Sequence, residues 1–155
     1  MMSEIIRIGV DIEEIVEFDT PELMSKEFLD LCFTKREINY CNKYKYWASH
    51  LAVRFAAKEA AIKALSGFDL TLERNKIEII TSENGRPKLL FHTNDANILK
   101  LSSDVSLSHS ATSAIAFVLL IKDSISVSYS ISSILVRRGV AYSSLIATNS
   151  SRIIP

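Results

Sequence analysis

Residues 47–66 read WASHLAVRFAAKEAAIKALS, and the reading of the whole chain turns on this stretch. It is rich in alanine, holds no Gly or Pro, and stops at Gly67, a residue suited to ending a helix. The pattern predicts one long helix from about Trp47 to Ser66. Leu51, Phe55, Ile62 and Leu65 recur at helical spacing and are expected to face the core. Four charges, Arg54, Lys58, Glu59 and Lys63, interrupt the apolar pattern. Arg54 and Lys58 are one turn apart, as are Glu59 and Lys63, so both pairs can face the same region. On spacing alone, the plainer reading is a solvated face with an i,i+4 Glu–Lys pair worth about 0.3–0.5 kcal/mol. Against that reading, a helix apolar on most sides rarely carries four charges without partners.

Toward the N-terminus, residues 4–12 (EIIRIGVDI) are rich in β-branched side chains and predict a strand. Thr20-Pro21-Glu22 has the order of a helix start: capping hydroxyl, proline, acid. Thr34-Lys35-Arg36-Glu37 has the spacing of a capping box and predicts a second helix start. Toward the C-terminus, residues 76–81 and 88–92 read as strands joined by the turn Glu83-Asn84-Gly85-Arg86-Pro87. Residues 105–108 and 112–121 form another apolar pair, broken at Ser108-His109-Ser110. Mixed strands and helices in this order argue for an α+β fold. Residues 1–121 are expected to form the domain. Residues 122–155, with ten serines, are expected to be an extension that is either a strand or poorly ordered.

Bulk properties narrow the function classes. A 155-residue chain with 48% apolar residues fits one packed domain. Residues 1–121 hold 14 Lys/Arg against 17 Asp/Glu, whereas residues 122–155 hold four against one. That balance argues against a nucleic-acid binder. Cys32 and Cys41 have no metal-type spacing and read as reduced thiols. There is no signal-peptide pattern, and the longest apolar run, Ala114 to Ile121, is far short of the roughly 20 residues of a membrane helix. The chain reads as soluble and cytoplasmic.

Three clusters can carry chemistry. Asp11 closes the first strand after Gly9-Val10, where a carboxylate can meet a metal, although acids cap strands routinely. The four helix charges are the second. Ser106-Leu107-Ser108-His109-Ser110 is the third, and a lone histidine there is more often structural than catalytic. The chain carries no G-x-x-x-x-G-K-[ST], G-x-G-x-x-G or H-E-x-x-H motif.

Taken together, these segments form a set. Ile8-Gly9-Val10-Asp11, followed about 40 residues later by Arg54-Phe55-Ala56-Ala57-Lys58-Glu59-Ala60-Ala61-Ile62-Lys63-Ala64, strongly resembles the holo-acyl-carrier-protein synthase type of phosphopantetheinyl transferase. Phe33-Thr34 with Glu37, Gly85-Arg86-Pro87 and Leu107-Ser108-His109-Ser110 resemble further family segments, in the right order over about residues 5–121. The resemblance implies an α+β fold with an antiparallel-rich sheet packed against a long helix, and a homotrimer with sites at subunit interfaces. It also implies transfer of 4'-phosphopantetheine from coenzyme A to a serine of an apo acyl carrier protein, with magnesium, as in fatty acid biosynthesis.

The family's metal positions fall on Asp11 and Glu59, and Lys63 becomes a cation beside the coenzyme A diphosphate. Arg54 and Lys58 become phosphate or carrier contacts. His109 would help hold the nucleotide end across a subunit boundary, and Glu59 or a metal-held water is the candidate base. Several positions depart from the family pattern. Ile12-Glu13-Glu14-Ile15-Val16-Glu17-Phe18 carries three acids where a basic residue is usual. Val53 stands where glycine is frequent, and the glycine-rich stretch after the helix is reduced to Ser66-Gly67-Phe68. Two other readings stay open: a different magnesium enzyme acting on a phosphorylated metabolite, and a non-catalytic carrier-binding module.

Overall fold

A computed structural model of the chain describes residues 5–20 and 25–122. Its elements in order are β1 (Ile5–Glu14), a 3-10 turn (Ile15–Asp19), α1 (Lys26–Cys32), α2 (Lys35–Cys41) and α3 (Trp47–Ser66). A second 3-10 turn (Arg74–Lys76), β2 (Ile77–Thr81), β3 (Pro87–Phe91), α4 (Ala96–Leu99), β4 (Leu101–His109) and β5 (Ser113–Lys122) follow. The strands form an antiparallel three-stranded sheet in the order β1-β5-β4 and a separate β2–β3 hairpin. The mixed, antiparallel architecture matches the expected α+β fold. The expected extension lies outside the described residues, apart from Lys122, which ends β5.

The long helix spans the predicted residues and is buried on several sides. Ala56, Ala57, Ala60, Ala61, Ala64 and Leu65 are all fully buried. Their small side chains let the sheet lie directly on the helix. At Gly9 of β1, an added Cβ would stand 1.8 Å from the Ala60 carbonyl oxygen. Only glycine fits there without moving the strand off the helix. Of the four predicted core positions, Leu51 and Leu65 are buried, while Phe55 and Ile62 are partly buried against the core.

Local signals in the sequence are realised at several ends. Thr34 Oγ1 accepts from the Glu37 backbone N–H at 3.3 Å while Glu37 Oε2 accepts from the Thr34 N–H at 2.9 Å. This is the predicted capping box. Gly85 takes a left-handed φ of 82° in the turn between β2 and β3. The helix start expected at Thr20-Pro21-Glu22 falls partly on residues 21–24, outside the described residues. The described α1 begins at Lys26, where Ser25 caps the Phe28 N–H. Cys32 and Cys41 are free and buried, and burial pushes the Cys41 thiol up to about 11.

Lys58, expected as a phosphate or carrier contact, turns inward and its side chain is fully buried. Its ammonium donates to Glu37 Oε2 at 2.8 Å, to the Arg74 carbonyl at 3.1 Å and to the Ile77 carbonyl. Burial pulls the lysine below its ordinary pKa while Glu37 opposes that shift. Glu37 is itself nearly fully buried and also accepts from the Ile79 N–H at 2.9 Å. One ion pair thus joins α2, α3, β2 and the turn before β2.

Removing one partner of such a pair leaves an uncompensated buried charge, at a cost of about 3–5 kcal/mol. Lys58→Met is therefore expected to lower stability by about that amount in urea denaturation. In Lys58→Met/Glu37→Leu only part returns, because the Thr34 and Ile79 N–H groups still lose their acceptor. A Lys58→Met protein as stable as the parent would contradict the structural role.

Candidate functional site

Alternation along β1 puts Arg7, Gly9, Asp11 and Glu13 on the face that meets α3. Asp11 Oδ1 accepts from the Lys63 ammonium at 2.6 Å, and the same ammonium donates to the Val10 carbonyl at 3.1 Å. The Asp11 side chain is only 13% exposed, whereas that of Lys63 is 55% exposed. The bond to Asp11 raises the Lys63 pKa. Asp11 Oδ2 is buried and has no hydrogen-bond partner among the described residues.

Glu59 sits one turn before Lys63 on α3. The expected i,i+4 pair gives way to two longer-range pairs, Lys63 with Asp11 and Glu59 with Arg74. Arg74 Nε donates to Glu59 Oε1, and its guanidinium lies 5.5 Å from the Phe55 ring centre. The tertiary pairs win because β1 and the turn before β2 both approach the exposed end of these side chains.

Glu13 joins the same acidic surface. Its pKa is raised to about 7, first by burial, then by the Asp11 carboxylate beside it and the negative charges of Glu17 and Glu59. The acids after Asp11, expected to bear on carrier docking, therefore also reach the site itself.

The remaining predicted residues gather elsewhere. Arg54 is nearly buried, donates from Nη1 to the His50 carbonyl at 3.0 Å and lies 4.2 Å from the Tyr40 ring centre. Its Nε is buried with no partner among the described residues. His109 ends β4, is exposed, and has its ring 6.4 Å from that of His50. It lines a cleft of about 590 Å³ together with Lys45, Tyr46, Trp47 and Glu14. Asp11, Glu59 and Lys63 do not line that cleft. Within one chain the predicted residues thus form two groups, with Lys58 in neither.

Sequence reasoning missed Arg74 and the site role of Glu13. Arg74 stands 15 residues beyond Glu59, in a short turn whose position the linear pattern does not reveal. Glu13 had a signal, since alternation from Asp11 places it on the same strand face.

Comparisons with known proteins bear on the family and the fold. The family model of the 4'-phosphopantetheinyl transferase superfamily matches residues 7–118. A holo-[acyl-carrier-protein] synthase of Cytophaga hutchinsonii is 39% identical over 128 residues, covering 75% of this chain and 97% of that protein. One from Geobacter sp. is 36% identical over 118 residues, covering 72% and 94%. Among solved structures, a holo-(acyl-carrier-protein) synthase from Bacillus anthracis in complex with CoA (3',5'-ADP) superposes with a TM-score of 0.63 at 30% identity. It covers 78% of this chain and 100% of its own. A Helicobacter pylori holo-[acyl-carrier-protein] synthase in complex with coenzyme A gives 0.61 at 31% identity, covering 73% and 98%. With its fold, its motifs and its relatives in agreement over nearly their whole length, the chain belongs to the 4'-phosphopantetheinyl transferase superfamily, as a holo-[acyl-carrier-protein] synthase.

Proposed function

We propose that this chain transfers 4'-phosphopantetheine from coenzyme A to a serine of an apo acyl carrier protein, using Asp11, Glu59 and Lys63. The observation that carries the residue assignment is the buried, unpartnered Oδ2 of Asp11 beside a cluster of carboxylates. A carboxylate oxygen in that position is the kind of donor a hard cation takes. Among the described residues no group of three or more His, Cys, Asp or Glu side chains converges as a ligand set. Magnesium does not need one, because it is commonly held by one or two carboxylates with substrate phosphates and water. Asp11 and Glu59 would hold it, and its bound charge would offset the charge that builds on the diphosphate.

In the transfer, the serine oxygen forms a bond to the pantetheine-side phosphorus. The bond from that phosphorus to the bridging oxygen breaks, and 3',5'-ADP leaves with the electron pair. Catalysis of this kind rests on positioning and on fixed charge. Lys63, anchored by Asp11 and the Val10 carbonyl, supplies a fixed positive charge beside the diphosphate. Glu59 takes the serine proton directly or through a water. Lys45 and His109, which line the cleft of about 590 Å³, hold the nucleotide end. Arg54 lies behind His50 and orients that surface.

That the two groups of residues lie apart in one chain favours a site assembled between subunits of a homotrimer. The sheet face turned away from α3 supports this. Ile8 is 61% exposed and Ile12 62% exposed, and Ile6 and Val10 are also exposed. Across the strand pair, Val10 faces Phe117 and Ile12 faces Ile115, both exposed. No described residue covers this apolar face, and contiguous patches of this kind mark interfaces. Among the described residues no helix is long and apolar enough to cross a membrane.

Three outcomes are expected. Incubating an apo carrier with the protein, coenzyme A and magnesium gives a mass gain of one phosphopantetheine that chelation abolishes. Asp11→Ala and Glu59→Ala each lower the rate by roughly a hundredfold or more with the fold intact by circular dichroism. No mass gain with any carrier, together with no coenzyme A binding, would sink the assignment. In light scattering the protein runs at about three times the 17.4 kDa chain mass, and Ile8→Lys shifts it toward the monomer. A monomeric parent would remove the shared-site reading.

A further outcome concerns Glu13. Its raised pKa means that the folded chain binds the proton more tightly than the unfolded chain. Ionisation therefore costs the fold nothing below pH 4.5, increasingly more from 4.5 to about 7, and its full amount above. In chelator, Glu13→Gln is expected to raise stability at pH 8 by on the order of 1 kcal/mol, after allowance for screening. No gain is expected at pH 4 by the same urea titration, and an equal gain at both pH values would rule out the charge as its source.

A further inference from the structure

Each of the two carboxylates assigned to the cation is held by its own base, Asp11 by Lys63 and Glu59 by Arg74. The second pair is more than a loose surface contact. The backbone of Arg74 is anchored from the interior, because the buried Lys58 ammonium donates to its carbonyl at 3.1 Å. The neighbouring Asn75 amide donates to the Asp30 carbonyl at 3.3 Å, tying the turn to α1. The guanidinium rests near the Phe55 ring on its way to Glu59. Among the described residues Nε is the one Arg74 side-chain atom in a hydrogen bond, so both terminal amino groups keep their donors. The side chain is 44% exposed, so those donors can meet a ligand. A guanidinium keeps its charge and offers a planar fork that fits phosphate oxygens.

We propose that Arg74 is a substrate-binding residue of the transfer site, fixing Glu59 and offering, with Lys63, a second fixed cation to the diphosphate of coenzyme A. This rests on the transferase reading above. Arg74 then does for Glu59 what Lys63 does for Asp11: it restrains a carboxylate whose neighbours are also negative, and leaves positive charge facing the ligand.

The experiment measures coenzyme A affinity by calorimetry, without carrier, in magnesium and again in chelator. The proteins are the parent, Arg74→Met and Arg74→Lys. Arg74→Met is expected to weaken binding about tenfold in both conditions, the size of one lost charge-assisted hydrogen bond. Arg74→Lys, which keeps the charge without the fork, is expected to recover part of that loss. In turnover, the Arg74→Met effect appears mainly as a raised KM for coenzyme A. Affinity in Arg74→Met within twofold of the parent, with an unchanged melting temperature, would overturn the proposal. If Arg74→Met fails to fold, the same reading passes to Arg74→Lys, where binding equal to the parent in both conditions overturns it. A parent that does not bind coenzyme A at all defeats the transferase reading first, and this proposal with it.

Discussion

The ammonium of Lys58, cut off from water, is the point on which the surrounding elements converge. It sits in the middle of α3 and reaches the carboxylate of Glu37 on α2 and two carbonyls flanking the start of β2. Neither charge is stable alone in that setting, so each element is held where the other charge requires it. Glu37 extends the constraint, since its oxygens also close the capping box of α2 and bind the Ile79 N–H of β2. The loop between α3 and β2 is thereby fixed at its far end. Through that fixed turn, a fully buried lysine sets where the half-exposed Arg74 meets Glu59.

A second constraint acts from the sheet side. The strand β1 lies so close to α3 at Gly9 that no side chain fits between them. This close approach lets the Asp11 carboxylate and the Lys63 ammonium meet at 2.6 Å across a strand–helix boundary. It also crowds negative charge. Burial and the neighbouring acids raise the Glu13 pKa to about 7. The alanines that permit the approach carry little apolar surface of their own. The other face of the sheet is left apolar and uncovered by any described residue. Packing that builds the site on one side thus leaves an exposed apolar face on the other.

Much of this was legible in the linear pattern. The long helix declared itself by alanine content and by Gly67, the strands by alternation, and the capping box by its hydroxyl and acid at fixed spacing. Asp11, Glu59, Lys63 and His109 stood out because a known family carries them in the same order. These are local or motif-borne signals, set by propensity, capping and period, which do not need the rest of the fold to operate. The α+β class follows from them.

What the sequence could not determine is which charge meets which. Spacing offered Glu59 to Lys63 and put Lys58 beside Arg54 on what reads most plainly as a solvated face. Only the folded chain buries Lys58 against Glu37, 21 residues away, and brings Arg74 to Glu59 and Asp11 to Lys63 across 52 residues. Helical periodicity fixes the angle at which a side chain leaves its helix. It does not say whether water, a strand or another helix stands at that angle, and for an ion pair that choice decides everything, because desolvation and partner distance set its energy.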